Sequence, residues 1–398
     1  MKSQQDLTPF VPQLNLVESD VASLRKLADT LVVHNIESYN ALLVSSNGHA
    51  DTRQWKEVRR KEGLHVYKER STAYATSGST LPCLPSLLLR GTVVGKLDDV
   101  MFVAAAATDE QIKITSTCLQ DGVLDSKVVQ SVVAPSDEQP FRHIGVKWKL
   151  HHARDYVCID TTGIATSGNG EQVGFSISHS VAFSQIPSFE KFGVERANMS
   201  VCWLFRQSTP ETVECYARGF FDFCCESNDL FGSLSMTHVA SHWLSFSNYM
   251  DCAKMKKIVW RMRKLSGLPV NGPMALEPTD ESPDLTVTVD KGESGCSVCK
   301  RSFGFLLRRT CKICHCSVCS SCSVKKLVCV LAPDRRTVLT KKRSFCIICM
   351  CEVTRSDALA IARDEIRESQ IAGASFEREP QDDESETSSG ERQQIFRF

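Results

Sequence analysis

The sequence predicts an α+β fold: an antiparallel sheet framed by helices, followed by a small module that metal ions hold together. Three observations carry this. Between Trp55 and Phe223, short runs that alternate apolar and polar residues, or are rich in β-branched and aromatic ones, follow each other at turn-sized intervals. Helix-patterned stretches stand before and after them. Eleven of the nineteen cysteines then fall between positions 296 and 351.

Each element has its own signal. Val21, Leu24, Leu27 and Leu31 recur at helical spacing within 16–43, with Ser19 and Asp20 placed as N-caps. Strands are expected at 64–67, 87–94, 127–133, 144–150, 156–159, 173–178, 199–205 and 213–217. One alanine-rich helix, about 97–107, interrupts them behind Asp98 and Asp99. A single long helix is expected over 234–264, its stripe Cys252, Met255, Val259 and Met262 flanked by Lys254, Lys256, Lys257, Arg261, Arg263 and Lys264. Residues 268–295 include Pro269, Pro273, Pro278 and Pro283 and read as a linker. A short helix is expected over 357–369, and the polar stretch 377–394 reads as disordered. The chain thus divides into an N-terminal helical segment (1–50), a sheet domain (51–265), a linker (266–292), a cysteine-rich module (293–355) and a helix with an acidic tail (356–398).

A formal net charge of zero hides a strong asymmetry. Residues 296–351 carry twelve Lys and Arg against Asp334 alone, a net +11. Eight thiolates and two divalent ions would leave about +7. Residues 365–398 carry nine acidic and four basic groups, a net −5. A basic module beside an acidic tail points to an anionic partner, with the tail able to mask it. No apolar run approaches about 18 residues, so no membrane span is expected. The first twelve residues hold no apolar signal core, so the thiols are expected to stay reduced.

Eight cysteines form four Cys-x-x-Cys pairs: Cys296/Cys299, Cys311/Cys314, Cys319/Cys322 and Cys346/Cys349. Each knuckle offers two sulfurs to a tetrahedral zinc at about 2.3 Å, and four knuckles close two sites with no open position for catalysis. Two structural zinc ions are expected, in preference to disulfides or scattered buried thiols. Cys316, Cys329 and Cys351 are left over and read as small buried hydrophobes.

The spacing of these pairs (eleven, four and twenty-three intervening residues) resembles the FYVE finger, a membrane-docking module for phosphatidylinositol 3-phosphate. The resemblance implies a cross-brace: Cys296, Cys299, Cys319 and Cys322 on one zinc, Cys311, Cys314, Cys346 and Cys349 on the other. The family's basic run, Arg-Arg/Lys-His-His-Cys-Arg-x-Cys-Gly, stands here as Arg308-Arg309-Thr310-Cys311-Lys312-Ile313-Cys314-His315. It implies headgroup contacts from Arg308, Arg309 and Lys312, suited to charge-assisted hydrogen bonds. Thr310 replaces the two histidines, His315 replaces the glycine, and no Trp-x-x-Asp precedes Cys296. Phe305, Leu306 and Leu307 occupy the loop that enters the bilayer in that family, with the composition of an interfacial anchor; their other reading is the finger's own core. The same residues also satisfy a RING-type cross-brace with His315 in place of Cys314, which would suggest a ubiquitin ligase or a protein-interaction scaffold.

A helix, a long antiparallel sheet and a closing helix resemble the START-type helix-grip domain, with Trp55 to Tyr67 and Arg154-Asp155-Tyr156-Val157 as landmarks. The resemblance implies a hydrophobic lipid in an apolar cavity, for which Trp148, Phe175, Trp203, Phe205, Met236, Trp243 and Phe246 are candidate lining residues; their other reading is ordinary core. Arg154 and Asp155 read equally as a structural pair at a strand start. The arrangement from end to end resembles the START-like proteins carrying degenerate FYVE fingers that are abundant in oomycetes.

His238 and His242 have the spacing of a zincin pair, but Val239 stands where the catalytic Glu would be. With no nucleophile elbow, phosphate loop or dinucleotide fingerprint, the expectation is a non-enzymatic, cytoplasmic protein peripherally attached to endosomal membranes. No nucleic-acid partner is expected, since the basic module lacks a stretch of stacking aromatics.

Overall fold

The computed structural model describes residues 6–46, 50–70, 84–168, 170–223, 229–268, 295–303 and 308–376, the side chains of 44–46, 229–234 and 372–376 excepted. The linker and acidic tail expected from sequence, and Phe305, Leu306 and Leu307, lie outside these residues.

Helix α1 (Glu18–Ser46) comes first, and Ser19 and Asp20 sit in its first turn, not at its cap. The strands follow: β1 (Trp55–Lys61), β2 (Leu64–Glu69), β3 (Ser86–Val94), β4 (Asp125–Val133), β5 (His143–His151), β6 (Arg154–Thr166), β7 (Gln172–Ser180), β8 (Glu195–Arg196), β9 (Asn198–Thr209) and β10 (Thr212–Asp222). They form one sheet in the order β1-β2-β3-β10-β9-β7-β6-β5-β4, antiparallel except where β8 pairs with β6. Each expected strand falls inside one of these, since successive side chains on a strand point to opposite faces and its pattern therefore repeats every second residue.

The helices depart from expectation in two places. Between β3 and β4 there are two, α2 (Leu97–Ala104) and α3 (Asp109–Leu119). Thr108 caps α3 by accepting from the Gln111 amide, and the Gln111 side chain accepts from the Ala107 amide. This is close to a capping box one residue out of register. The single helix expected over 234–264 is broken into α4 (Asp229–Trp243), a 3-10 turn (Leu244–Asn248) and α5 (Tyr249–Ser266). The tighter turn seats Phe246 face to face on Phe205, ring centroids 5.5 Å apart, and packing overrides the intrinsic preference for a continuous helix. Gly267, at φ 63°, ends α5 in the left-handed conformation that glycine adopts without strain.

The two sheet faces are covered by different helices. Helix α1 lies on one, over Val146, Trp148, Val157, Ile159, Phe175, Ile177 and Leu204. The other carries α2 and α4 over Leu64, Leu87, Leu89, Phe205, Val213 and Cys215. This sheet gripping a C-terminal helix is the helix-grip arrangement.

The cysteine-rich module follows, with β11 (Arg309–Thr310) paired to β12 (Ser317–Val318), then the hairpin β13 (Ser323–Leu331) and β14 (Val338–Cys346), then α6 (Ile347–Arg355). Helix α7 (Ala358–Phe376) runs back along the body, burying Ala358, Ile361 and Ala362 in the same core as Met101 and Phe102 of α2. Among the described residues no helix is long and apolar enough to cross a membrane.

Candidate ligand cavity and metal centres

A cavity of about 490 Å³ lies between the inner face of the sheet and α2, α3, α4 and the 3-10 turn. Its volume falls in the range of sites that enclose a small ligand. One wall is apolar: Val201, Trp203 and Phe221 from strands, Trp243 and Phe246 from the helical side. Trp203 packs 5.3 Å from Trp243 and 5.7 Å from Phe246, centroid to centroid.

The floor is polar and comes from the inward positions of β5, β6 and β7: Lys147, Lys149, Asp160, Thr162, Ser176 and Ser178. Lys149 Nζ sits 2.6 Å from Asp160 Oδ2 and donates to Ser178 Oγ at 3.2 Å. Lys147 Nζ lies 3.4 Å from the same carboxylate oxygen and donates to the Ala106 carbonyl at 2.8 Å. Asp160 Oδ1 has no hydrogen-bond partner. Burial alone would raise the Asp160 pKa, but Lys149 and Lys147 hold it down at about 2. Burial lowers Lys147, whereas Asp160 outweighs burial at Lys149 and raises it. Two ammonium groups thus face one carboxylate, leaving the floor with an excess of positive charge.

Histidines stand at one end. His238 and His242 meet through their Nε2 atoms at 2.8 Å, one turn apart on α4, with His152 6.1 Å from His238, centroid to centroid. Burial, helped by Lys149, depresses His151 to about 3, so it is neutral at physiological pH.

Of the seven lining residues expected from sequence, Trp203, Trp243 and Phe246 line the cavity. Phe205 and Met236 are buried in the adjacent apolar core. Trp148 and Phe175 lie on the opposite face of the sheet, against α1. In β5 the apolar set Ile144, Val146, Trp148 and Leu150 faces α1, which leaves Lys147, Lys149 and His151 pointing inward. The expectation had assigned the apolar side to the cavity, so it missed Lys147, Lys149 and Asp160. The alternation of β5 puts Lys147 and Lys149 on the face opposite Trp148, but it does not tell which face meets the cavity.

Asp155 does not pair with Arg154. It is fully buried, accepts from Trp148 Nε1 at 2.7 Å, and is held by Arg196 Nε and Nη2 at 3.0 and 2.7 Å. Arg154 projects to the other side, where it donates to Ser235 Oγ at 3.1 Å and covers the Phe223 ring. Neighbours on a strand point to opposite faces.

In the cysteine-rich module the sulfurs of Cys296, Cys299, Cys319 and Cys322 lie within 4.8 Å of one another, and so do those of Cys311, Cys314, Cys346 and Cys349. Between knuckles, the sulfurs of Cys299 and Cys319 are 3.9 Å apart, and so are those of Cys314 and Cys346. A tetrahedron of sulfurs about 2.3 Å from zinc has edges of about 3.8 Å, so both clusters fit the ion. Burial opposes ionisation of Cys296, but backbone N–H groups of Cys299, Cys319 and Val298 bring it to about 6. Burial and the adjacent sulfurs keep Cys322 at about 12. A metal must therefore displace protons on binding. His315 is exposed, at φ 58°, outside both clusters. The RING-type assignment with His315 as ligand does not hold.

Of the leftover cysteines only Cys329 is buried; Cys316 and Cys351 are exposed. Arg308 Nε donates to Ser317 Oγ at 2.7 Å beside the Phe303 ring, and Arg309 Nη1 to Ser323 Oγ at 3.1 Å. The Lys312 amide donates to the Ser344 carbonyl, which puts the three expected headgroup contacts next to one another around β11 and β14.

No family model and no curated protein matches the chain. Its backbone is similar to human StAR-related lipid transfer protein 5, with TM-score 0.40 and 13% identity over 58% of this chain and 97% of that one. It is also similar to human STARD10, with TM-score 0.38 and 11% identity over 64% and 86%. A third likeness is to the lipid transfer and protein localization domain of human StarD13, with TM-score 0.33 and 15% identity over 54% and 96%.

Proposed function

We propose that this protein is a non-enzymatic lipid carrier or sensor that takes one amphiphile into the cavity and docks on anionic membranes through its zinc module. The observation that carries the first half is the cavity's division into an aromatic wall and a charged floor. An apolar body would replace water against Trp203, Trp243, Phe221 and Phe246, gaining about 25 cal/mol per Å² of apolar surface buried. A polar head would accept from Lys147 and Lys149, which line the cavity floor. A carrier role is favoured over catalysis because two ammonium groups tie up the floor's carboxylate, leaving it a poor base.

The second half draws on the net +11 of residues 296–351 and on Arg308, Arg309 and Lys312. Each guanidinium has five donors and spends one within the module, so others can reach a lipid phosphate such as that of phosphatidylinositol 3-phosphate. Phe305, Leu306 and Leu307 would supply the apolar anchor. The resulting location is the cytoplasmic face of endosomal membranes.

The test is to incubate the full chain, stripped of lipid, with mixed-lipid vesicles, re-isolate it, and identify what it carries by mass spectrometry. One lipid species at about equimolar ratio, lost in Trp203→Ala and changed in headgroup preference in Lys147→Met, is the expected outcome. A protein that returns empty from every vesicle overturns the carrier reading.

A further inference from the structure

The wall of the cavity is also the seat of the zinc module. Helix α3 lines the cavity with Ile112, Thr115, Ser116 and Leu119, while Ile114 and Cys118 join a second cluster. There they meet Cys252, Ala253 and Met255 of α5 and Cys329 and Val338 of the hairpin β13–β14. Leu119 belongs to both surroundings, and so does Tyr249, the first residue of α5. At the hairpin's far end Arg335 reaches Glu110 of α3 at 3.1 Å.

That hairpin is braced at its base by both metal centres. Cys322, of the first cluster, immediately precedes β13; Cys346, of the second, is the last residue of β14; and Ser323 pairs with Cys346 in the ladder. Helix α5 in turn completes the module's core. Ile258 is 1% exposed among Cys296, Cys311, Ile313 and Phe345, with Val259 and Met262 alongside. Lys257 Nζ bridges Asp99 of α2 at 2.6 Å and the Ser356 carbonyl at 2.7 Å, and Trp260 Nε1 donates to Asp364 of α7 at 2.7 Å.

We infer that metal binding and cavity occupancy are positively coupled: the metal-braced hairpin fixes α3 and α5, and these fix the wall that a ligand must find formed. A segment this short, whose core is built around the eight ligand sulfurs, loses its shape without its ions. Removing them loosens one side of the wall, and a ligand preferring the formed wall strengthens metal binding by the same factor. The ligand half rests on the lipid-binding reading above; the metal half does not.

The experiment uses the full chain, loaded with zinc or stripped by chelator, with three readouts. Backbone hydrogen exchange should quicken over 109–119 and 249–266 on stripping, while β5–β7 stay protected. Binding of 11-(dansylamino)undecanoic acid should weaken by about 5-fold or more, the lower end of typical coupling. Zinc release to a chromophoric chelator should slow when the dansyl acid is bound. Val338→Asp, in the seam but outside both clusters and the cavity lining, should weaken the probe with zinc still present; Ile114→Ala is the milder second variant. Equal exchange over 109–119 and 249–266 with and without zinc overturns the inference, as does loss of protection over the whole sheet, which would make the metal a general stabiliser. Equal probe affinity in both states also overturns it. A probe that binds in neither state defeats the lipid reading instead, and the exchange result still decides the metal half.

Discussion

Lys149 Nζ lies 2.6 Å from Asp160 Oδ2 at the bottom of the cavity, with Lys147 Nζ 3.4 Å from the same oxygen. A buried charged triad opposite an aromatic wall is costly, because each ion loses several kcal/mol of hydration on burial. It persists because each charge has a partner or a hydrogen bond.

Asp160→Asn should therefore destabilise the protein by about 3–5 kcal/mol at neutral pH, by leaving two buried ammonium groups without their counter-charge. Urea unfolding of wild type and variant measures it. The pH dependence has a definite sign. The Asp160 carboxyl is held at about 2, below its ordinary 3.8, so its stabilisation is complete above 3.8. As pH falls from 3.8 towards 2, about 2 kcal/mol is lost. Asp160→Asn should remove that part of the acid sensitivity.

His143 should make the protein sensitive to mild acid. It is buried with neither ring nitrogen hydrogen-bonded, and burial, followed by Lys147, depresses it from 6.5 to about 3. Above 6.5 both folded and unfolded chains hold it neutral, and it contributes no slope. Below 6.5 the unfolded chain takes up a proton that the folded one refuses, so stability falls by about 1.4 kcal/mol per pH unit per such group until about 3. Urea midpoints between pH 6.5 and 5, above most carboxylate titration, should show a shallower slope in His143→Leu than in wild type.

The metal centres predict two zinc ions per chain by mass spectrometry under native conditions. Stripping should open residues 295–355 to protease, since apparent binding energies of about 10–16 kcal/mol per structural site are then lost from folding. Cys311→Ser should lower zinc content to one. A chain retaining its protease resistance with no zinc bound would show that the module's core stands alone.

At the membrane, Arg308→Ala with Arg309→Ala should remove most of the salt dependence of vesicle binding. Each arginine near an anionic surface contributes about 1 kcal/mol, screened over a Debye length of about 8 Å at 0.15 M salt. Leu306→Ala with Leu307→Ala should instead weaken binding at every salt concentration, because burial of apolar area is scarcely screened. Wild-type protein that ignores anionic vesicles at every salt concentration overturns the docking reading.

What the sequence determined by itself is what local pattern can encode. Alternation located the strands, because side chains on a strand share a face at every second residue. Four Cys-x-x-Cys knuckles specified two four-sulfur clusters, because two sulfurs three residues apart reach one ion. Helix α3 was missed, because the expected helix ended with the alanine-rich run at about 107, although Thr108 and Gln111 offered a capping signal just beyond it. Only the tertiary structure decided which cover each face of the sheet received. The pattern in β5 states that Trp148 and Lys149 point opposite ways, and says nothing of whether α1 or the α2–α5 layer lies above each. Both layers present apolar surface, and the apolar set went to α1, so the lysines were turned inward. The 3-10 break at Phe246 and the seat of Ile258 in the cysteine-rich module were decided in the same way, by contacts between residues far apart in the chain. Such contacts leave no periodic trace, because their partners are brought together only when the layers pack.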